Sequence, residues 1–193
     1  LKCQLLRDRA KYSESWYGHR IFTNYYHHRH GVVDDDPIES PPITDEEHRR
    51  RLRVSWSLAF SNYTYSPIQH LLADVRSRLG FPPSTSVPSA WISPNIARPI
   101  DVSARFGISY SRKTIRYQRE LVRRTLNSRA STAKVSRKEF VRELASSKTV
   151  ISPFGWGEFA FRDYETFLAG SLLMKPDMSH METWPDLYRD GET

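Results

Sequence analysis

The chain has 193 residues, 38% of them hydrophobic and 12% aromatic, and a formal net charge of +7. That length suits one large domain or two small ones. No run of about 18 apolar residues occurs, which excludes a membrane-spanning helix, and the lone Cys3 excludes a disulfide framework or a cysteine-rich zinc site.

The positive charge favours an anionic partner: a nucleotide diphosphate, a nucleic acid or an acidic membrane surface. No signal peptide is visible, so a cytoplasmic setting is expected. Peripheral membrane association is compatible with the charge. The start at Leu1, inside a polar–apolar pattern, and the turn signal at Gly191-Glu192-Thr193 read as a fragment truncated at both ends.

Residues 1–33 mix basic and aromatic side chains. Arg20 to Tyr26 is expected to be a strand with Ile21 and Phe22 apolar. His27, His28 and His30 follow. On a strand His28 and His30 would share a face, as metal ligands sometimes do. A cleft-lining or surface polar loop is the favoured reading, so no metal site is assigned. Asp34-Asp35-Asp36 reads as a solvated loop. Pro37, Pro41 and Pro42 extend it.

Thr44 is expected to cap a helix, with Glu47 at the capping-box position, running through Arg49, Arg50, Arg51 and Arg53 towards Phe60. The arginine run reads as a solvated face. Ile68 to Leu79 is a second amphipathic helix, with Leu71, Leu72, Val75 and Leu79 at helical spacing and a stop at Gly80. Four prolines mark 81–97 as a connector in which Trp91 and Ile92 plug a cleft.

Pro99 to Phe106 alternates apolar and polar residues and predicts a strand. Gly107 to Ser111 is a turn. Arg112 to Leu126 is a long basic helix with Ile115, Leu121, Val122 and Leu126 inward. A glycine turn opening a helix is a sensible diphosphate site, with Arg112 and Lys113 beside free backbone N–H groups. A basic solvated helix is the alternative. Ser136 caps a further helix, Arg137 to Ser146, with Glu139 completing a capping box.

Residues 148–176 then supply strand, glycine loop, helix and strand, one β-α-β unit of a parallel sheet. Thr149 to Ile151 is the first strand and Leu172 to Met174 the second. Arg162 to Ala169 is the helix, ended by Gly170. Ligands bind such sheets at the carboxyl ends of the strands, beside helix N-termini. Gly155, Gly157, Glu158, Arg162 and Glu165 fall there, and the loop from Asp177 to Glu182 adds His180 at the next strand end.

The stretch 98–190 resembles the nucleotide-sugar-binding half of a two-domain, GT-B type glycosyltransferase of the group 1 and exostosin-like kind. The resemblance rests on Phe154-Gly155 in the loop, Glu165 in the helix, Gly170 five residues later, and Arg162 completing an R-x-x-E pattern. It implies an α/β, Rossmann-like parallel sheet with flanking helices, preceded by a partly helical segment. The division expected is 1–97 for inter-domain and acceptor-side elements and 98–193 for the incomplete nucleotide-sugar domain.

It implies that Glu165 holds the donor ribose, that Glu158 lies near the donor sugar, and that Arg112 and Lys113, with Arg105 as second choice, meet the diphosphate. The activity expected is metal-independent transfer of a sugar from a nucleotide diphosphate sugar, a co-substrate rather than a cofactor, to a hydroxyl of a glycan or lipid-linked acceptor. His180, His28 and Glu158 are candidates for the base. A nucleic-acid-binding module, from the basic helix and its tyrosines, and a non-catalytic partner of the same fold are the competing readings.

Overall fold

The computed structural model describes residues 1–56, 67–81 and 91–191. In chain order the elements are β1 (Gln4–Leu6), a 3-10 turn (Arg9–Ser13), β2 (Trp16–Tyr17), α1 (Ile21–His30), β3 (Glu39–Ser40) and α2 (Glu46–Arg50). Next come α3 (Pro67–Arg78), β4 (Ile100–Ser103), α4 (Lys113–Leu126), α5 (Arg137–Ser146), β5 (Ser147–Ile151), α6 (Phe161–Leu168), β6 (Leu172–Met174) and β7 (Met181–Thr183).

The fold is mixed α/β. Its centre is a parallel sheet in the order β4-β5-β6, compatible with a Rossmann-like arrangement. The three strands fall where the sequence places them, although β4 stops at Ser103, short of Phe106, and β5 begins at Ser147, two residues before Thr149. Adjacent residues on a strand face opposite ways, and β5 shows the consequence. Val150 packs with Leu144, Ala169 and Phe140 of α5 and the end of α6. Ile151 packs with Ala104 and Phe106, joined by Val122 and Leu126 of α4. Helices therefore cover both faces of the sheet.

Local chemistry sets α5 to the residue. The Ser136 hydroxyl accepts from the Glu139 N–H at 3.3 Å, and the Glu139 carboxylate accepts from the Ser136 N–H at 2.9 Å. The helix runs straight into β5 with no linker. Below the sheet, Arg98 is 8% exposed and ties the strand starts together. It donates to Ala145 O, Ser147 O, Ser171 Oγ, Ser93 O and Ala169 O at 2.6–3.1 Å.

The first 43 residues join this body. β1 pairs antiparallel with β7, and α1 packs on α4. One core cluster draws Leu6, Trp16 and Phe22 together with Ile115, Phe154, Met178 and Met181. The boundary expected at 97 is thus crossed by a strand pair and a shared core.

Several expectations change. Arg20 to Tyr26 is not a strand; Ile21–His30 is helical and ends in a left-handed Gly31. The aromatic composition suggests a strand, but Phe22 and Tyr26 are four apart and meet each other as well as Phe154 and Tyr117 across the core. Packing on one helical face outweighs propensity here. The helix expected from Thr44 to Phe60 is capped by Asp45 instead and stops at Arg50. Val54 and Trp56 bridge to Lys2 and Trp184 in extended backbone. Residues 57–60 lie outside the described residues, as do 82–90 of the proline-rich connector.

The helix expected over Ile68 to Leu79 is present as α3, with Leu71, Leu72, Val75 and Leu79 exposed. Trp91 does not plug a cleft: it is 72% exposed. Leu121 is exposed too, because the inward face of α4 runs through Ile115, Gln118, Arg119, Val122 and Leu126. No helix among the described residues is long and apolar enough to cross a membrane.

Candidate functional site

Register brings the carboxyl ends of the three strands level. Ser103 stands opposite Val150, and Ile151 opposite Met174. The next residues, Ala104-Arg105, Ser152-Pro153-Phe154 and Lys175, share one edge. The N-terminus of α6 opens beside them.

Asp163, in the first turn of α6, organises that edge while fully buried. It accepts from Ser152 Oγ at 2.5 Å, Ala160 N at 3.0 Å and Tyr188 Oη at 2.8 Å, and it pairs with Lys175 Nζ at 3.0 Å. Burial lowers the Lys175 pKa, and the Asp163 charge opposes that shift. Burial also raises the Tyr188 phenol, reinforced by the Asp163 charge. This carboxylate is saturated and serves the structure.

Two further cations lie under the glycine loop. Arg119 reaches up from α4 and donates to Phe154 O at 2.6 Å, Gly107 O at 2.7 Å and Pro153 O at 3.4 Å. Its guanidinium stacks 4.7 Å from the Tyr110 ring. Arg162, at the start of α6, donates to Arg105 O, and its buried Nε has no hydrogen-bond partner among the described residues. Neither guanidinium forms an ion pair among the described residues.

Burial lowers the pKa of both, that of Arg119 to about 10, so Arg119 keeps its charge at neutral pH; at Arg162 the charges of Asp163 and Glu165 oppose the shift. The Arg162 charge adds to the lowering at Arg119. A Cβ on Gly155 would sit 3.2 Å from Arg119 Nη2 and from Tyr110 Oη, which is why glycine suits that position. The edge carries positive potential under a loop thin enough for close approach.

The diphosphate site expected at Arg112 and Lys113 is occupied by the chain itself. Arg112 is the N-cap of α4 and stands 3.5 Å from Asp34; Lys113 pairs with Asp35. Asp34 accepts from Thr114 N at 2.9 Å and from Thr114 Oγ1 at 2.9 and 3.2 Å. The helix N-terminus therefore already holds an anion. Asp34 is 3% exposed, so the acidic triplet is not a uniformly solvated loop, although Asp35 and Asp36 are exposed. Arg105, the second choice, pairs with Glu143 at 2.9 Å.

Glu165 pairs with Arg137 at 2.6 Å and is 14% exposed at its side chain. It lies one turn on from Arg162, whose guanidinium turns to the strand end and donates to Arg105 O. Glu158 is 2% exposed, receives a hydrogen bond from Gln4 and lies 3.4 Å from Arg20 Nη1. Gly157 passes close to the same arginine.

His180 sits with its ring 6.5 Å from that of Phe154. Its Nε2 is buried without a partner among the described residues. Burial lowers its pKa, partly offset by the charges of Glu158 and Asp177. Around His28 the neighbouring rings pack on tyrosines: His27 stacks on Tyr17 at 3.8 Å, and His30 leans on Tyr117. Among the described residues no group of three or more His, Cys, Asp or Glu is placed to hold a metal.

The sequence reading missed Arg119 and Lys175. A signal for Arg119 existed: it lies four residues after the inward Ile115 and three before Val122. No protein-family model, curated protein or solved structure matches the chain.

Proposed function

We propose that this chain is the nucleotide-sugar-binding part of a glycosyltransferase that passes a sugar from a nucleotide diphosphate sugar to an acceptor hydroxyl. The observation that carries this reading is the pair Arg119, buried, and Arg162, half-buried, at the carboxyl ends of parallel strands, neither of which forms an ion pair among the described residues. Negative charge builds on the leaving diphosphate as the glycosidic bond breaks. Fixed cations at that point stabilise it more than they stabilise the bound donor. Arg162 and the backbone of the Gly155–Gly157 loop take the diphosphate in this reading, in place of Arg112 and Lys113. Glu165 takes the ribose. His180, biased towards the neutral imidazole, is the base for the acceptor proton.

The test is binding of uridine and guanosine diphosphates against the parent nucleosides, by calorimetry. A diphosphate should bind at least about tenfold more tightly than its nucleoside, a margin of about 1.4 kcal/mol. Arg162→Gln should remove most of that margin and leave nucleoside affinity unchanged. Equal affinities for diphosphate and nucleoside in the unaltered protein would overturn the reading.

A further inference from the structure

Beyond the strand edge, the other side of the glycine loop closes a second space. A cleft of about 230 Å³ lies between β1, the 3-10 turn, β2, the start of α1 and Glu158. It is smaller than the roughly 300–1,000 Å³ of drug-sized pockets, so it has room for a single ring and not for a dinucleotide.

Its polar groups are unusually arranged. Glu158 lines it and is almost fully buried, with its contacts to Gln4 Nε2 and Arg20 Nη1 both on Oε2. Gln4 must turn its amide nitrogen to that carboxylate, since the reverse would set two acceptors together. The other end of the amide, Oε1, is then left buried with no hydrogen-bond partner among the described residues. Arg20 supplies donors on the same wall. Tyr12 and Trp16, with rings 6.0 Å apart, supply apolar faces.

Ligand charge separates the candidates. An anion would meet the Glu158 carboxylate. A cation would suit Glu158 and Gln4 Oε1 but would meet the Arg20 guanidinium and a chain of net charge +7. A neutral polyol meets no repulsion. Its hydroxyls donate to Gln4 Oε1 and the carboxylate, accept from Arg20, and leave C–H faces for the aromatic rings.

We infer that this cleft is a saccharide subsite that binds hydroxyls of one sugar ring through Gln4, Arg20 and Glu158. The inference deepens the glycosyltransferase reading and rests on it for the source of the sugar. That source is either the sugar of the donor or a terminal ring of the acceptor.

The probes are methyl glycosides of glucose, galactose, mannose and xylose, read by saturation-transfer NMR, with uridine and guanosine diphosphate binding measured in the same samples. At least one glycoside should bind. Glu158→Gln, which keeps the shape and removes the charge, should weaken it about tenfold or more. Pro41→Trp fills the cleft from its exposed rim without touching the buried groups, and it should also abolish binding. Both variants should keep nucleoside diphosphate affinity.

Competition by a nucleotide sugar, but not by the bare diphosphate, would assign the ring to the donor. Simultaneous binding would assign it to the acceptor. The inference is overturned if no glycoside binds, if both variants retain full binding, or if methylammonium displaces the glycoside. Loss of diphosphate binding with glycoside binding intact would instead remove the glycosyltransferase reading and leave the subsite.

Discussion

Asp34 caps the first turn of α4 at Thr114, accepting from both the backbone N–H and the hydroxyl across 80 residues of chain. The contact fastens the N-terminal segment to the sheet domain and neutralises a helix end that would otherwise attract anions. Arg112 Nη1 is buried beside the same carboxylate.

Asp34→Ala should therefore cost about 2–3 kcal/mol, from unsatisfied buried donors and a lost helix-dipole partner. Asp34→Asn, which keeps one acceptor, should recover part of that loss. Asp35→Ala, at an exposed ion pair with Lys113, should stay within about 0.5 kcal/mol. Urea unfolding of the three variants measures the contrast. A similar loss for Asp34 and Asp35 would contradict the capping role.

Glycine positions give a second contrast. Gly170 ends the α6 turn at φ +64°, and a Cβ there would lie 2.2 Å from Ile92 O. Gly107 has nothing within 4 Å of an added Cβ and no positive φ. Gly170→Ala should destabilise by more than about 2 kcal/mol through strain and overlap. Gly107→Ala should be neutral or stabilising by about 0.4–1 kcal/mol, because the unfolded chain loses freedom. Thermal and urea midpoints check both.

The pH dependence of stability should carry a His180 component. Its folded pKa lies below the ordinary 6.5 because burial disfavours the imidazolium. Between the folded value and 6.5 the unfolded chain binds more protons, so stability falls as pH falls through that window. Above 6.5 the contribution is fully present. His180→Gln should flatten the acid side of the stability profile below 6.5 and leave the slope near neutrality unchanged. An unaltered acid limb would show that the ring is hydrated in the folded state.

The parts of the fold legible in sequence are those set by neighbours in the chain. The capping box at Ser136 and Glu139 places α5, and the apolar run and glycines of 148–176 place β5, α6 and β6. The parts missed depend on distant partners. α1 looks like a strand until Phe22 and Tyr26 are set against Phe154 and Tyr117. Arg112 and Lys113 look free until Asp34 and Asp35 arrive from the other end of the chain. Hydropathy placed Leu121 inward where the helical period places Arg119, so a buried arginine was hidden by its own polarity. The Glu158 cleft needs β1 and α1 beside the glycine loop, an arrangement no local pattern states.

At Glu165 two roles make different demands. As the ribose ligand, its carboxylate accepts hydrogen bonds from the vicinal diol of a bound donor. As the partner of Arg137, 2.6 Å away, it fastens α6 to the first turn of α5. Arg137 is about half exposed at its side chain, so it can yield the carboxylate to a ligand at small cost. Glu165→Gln keeps the volume and removes the charge.

If the ribose role holds, that variant should lose roughly ten- to a hundredfold in nucleotide sugar affinity, the equivalent of about 1.5–3 kcal/mol. The loss should vanish for a 2′,3′-dideoxy donor, which has no diol to recognise. Arg137→Ala removes this ion pair and should leave affinity unchanged or raise it slightly, with a stability change of no more than about 1 kcal/mol. If the pairing is the whole role, Arg137→Ala and Glu165→Gln should instead shift the unfolding midpoint alike, and both variants should bind the ribose and dideoxy donors as the unaltered protein does.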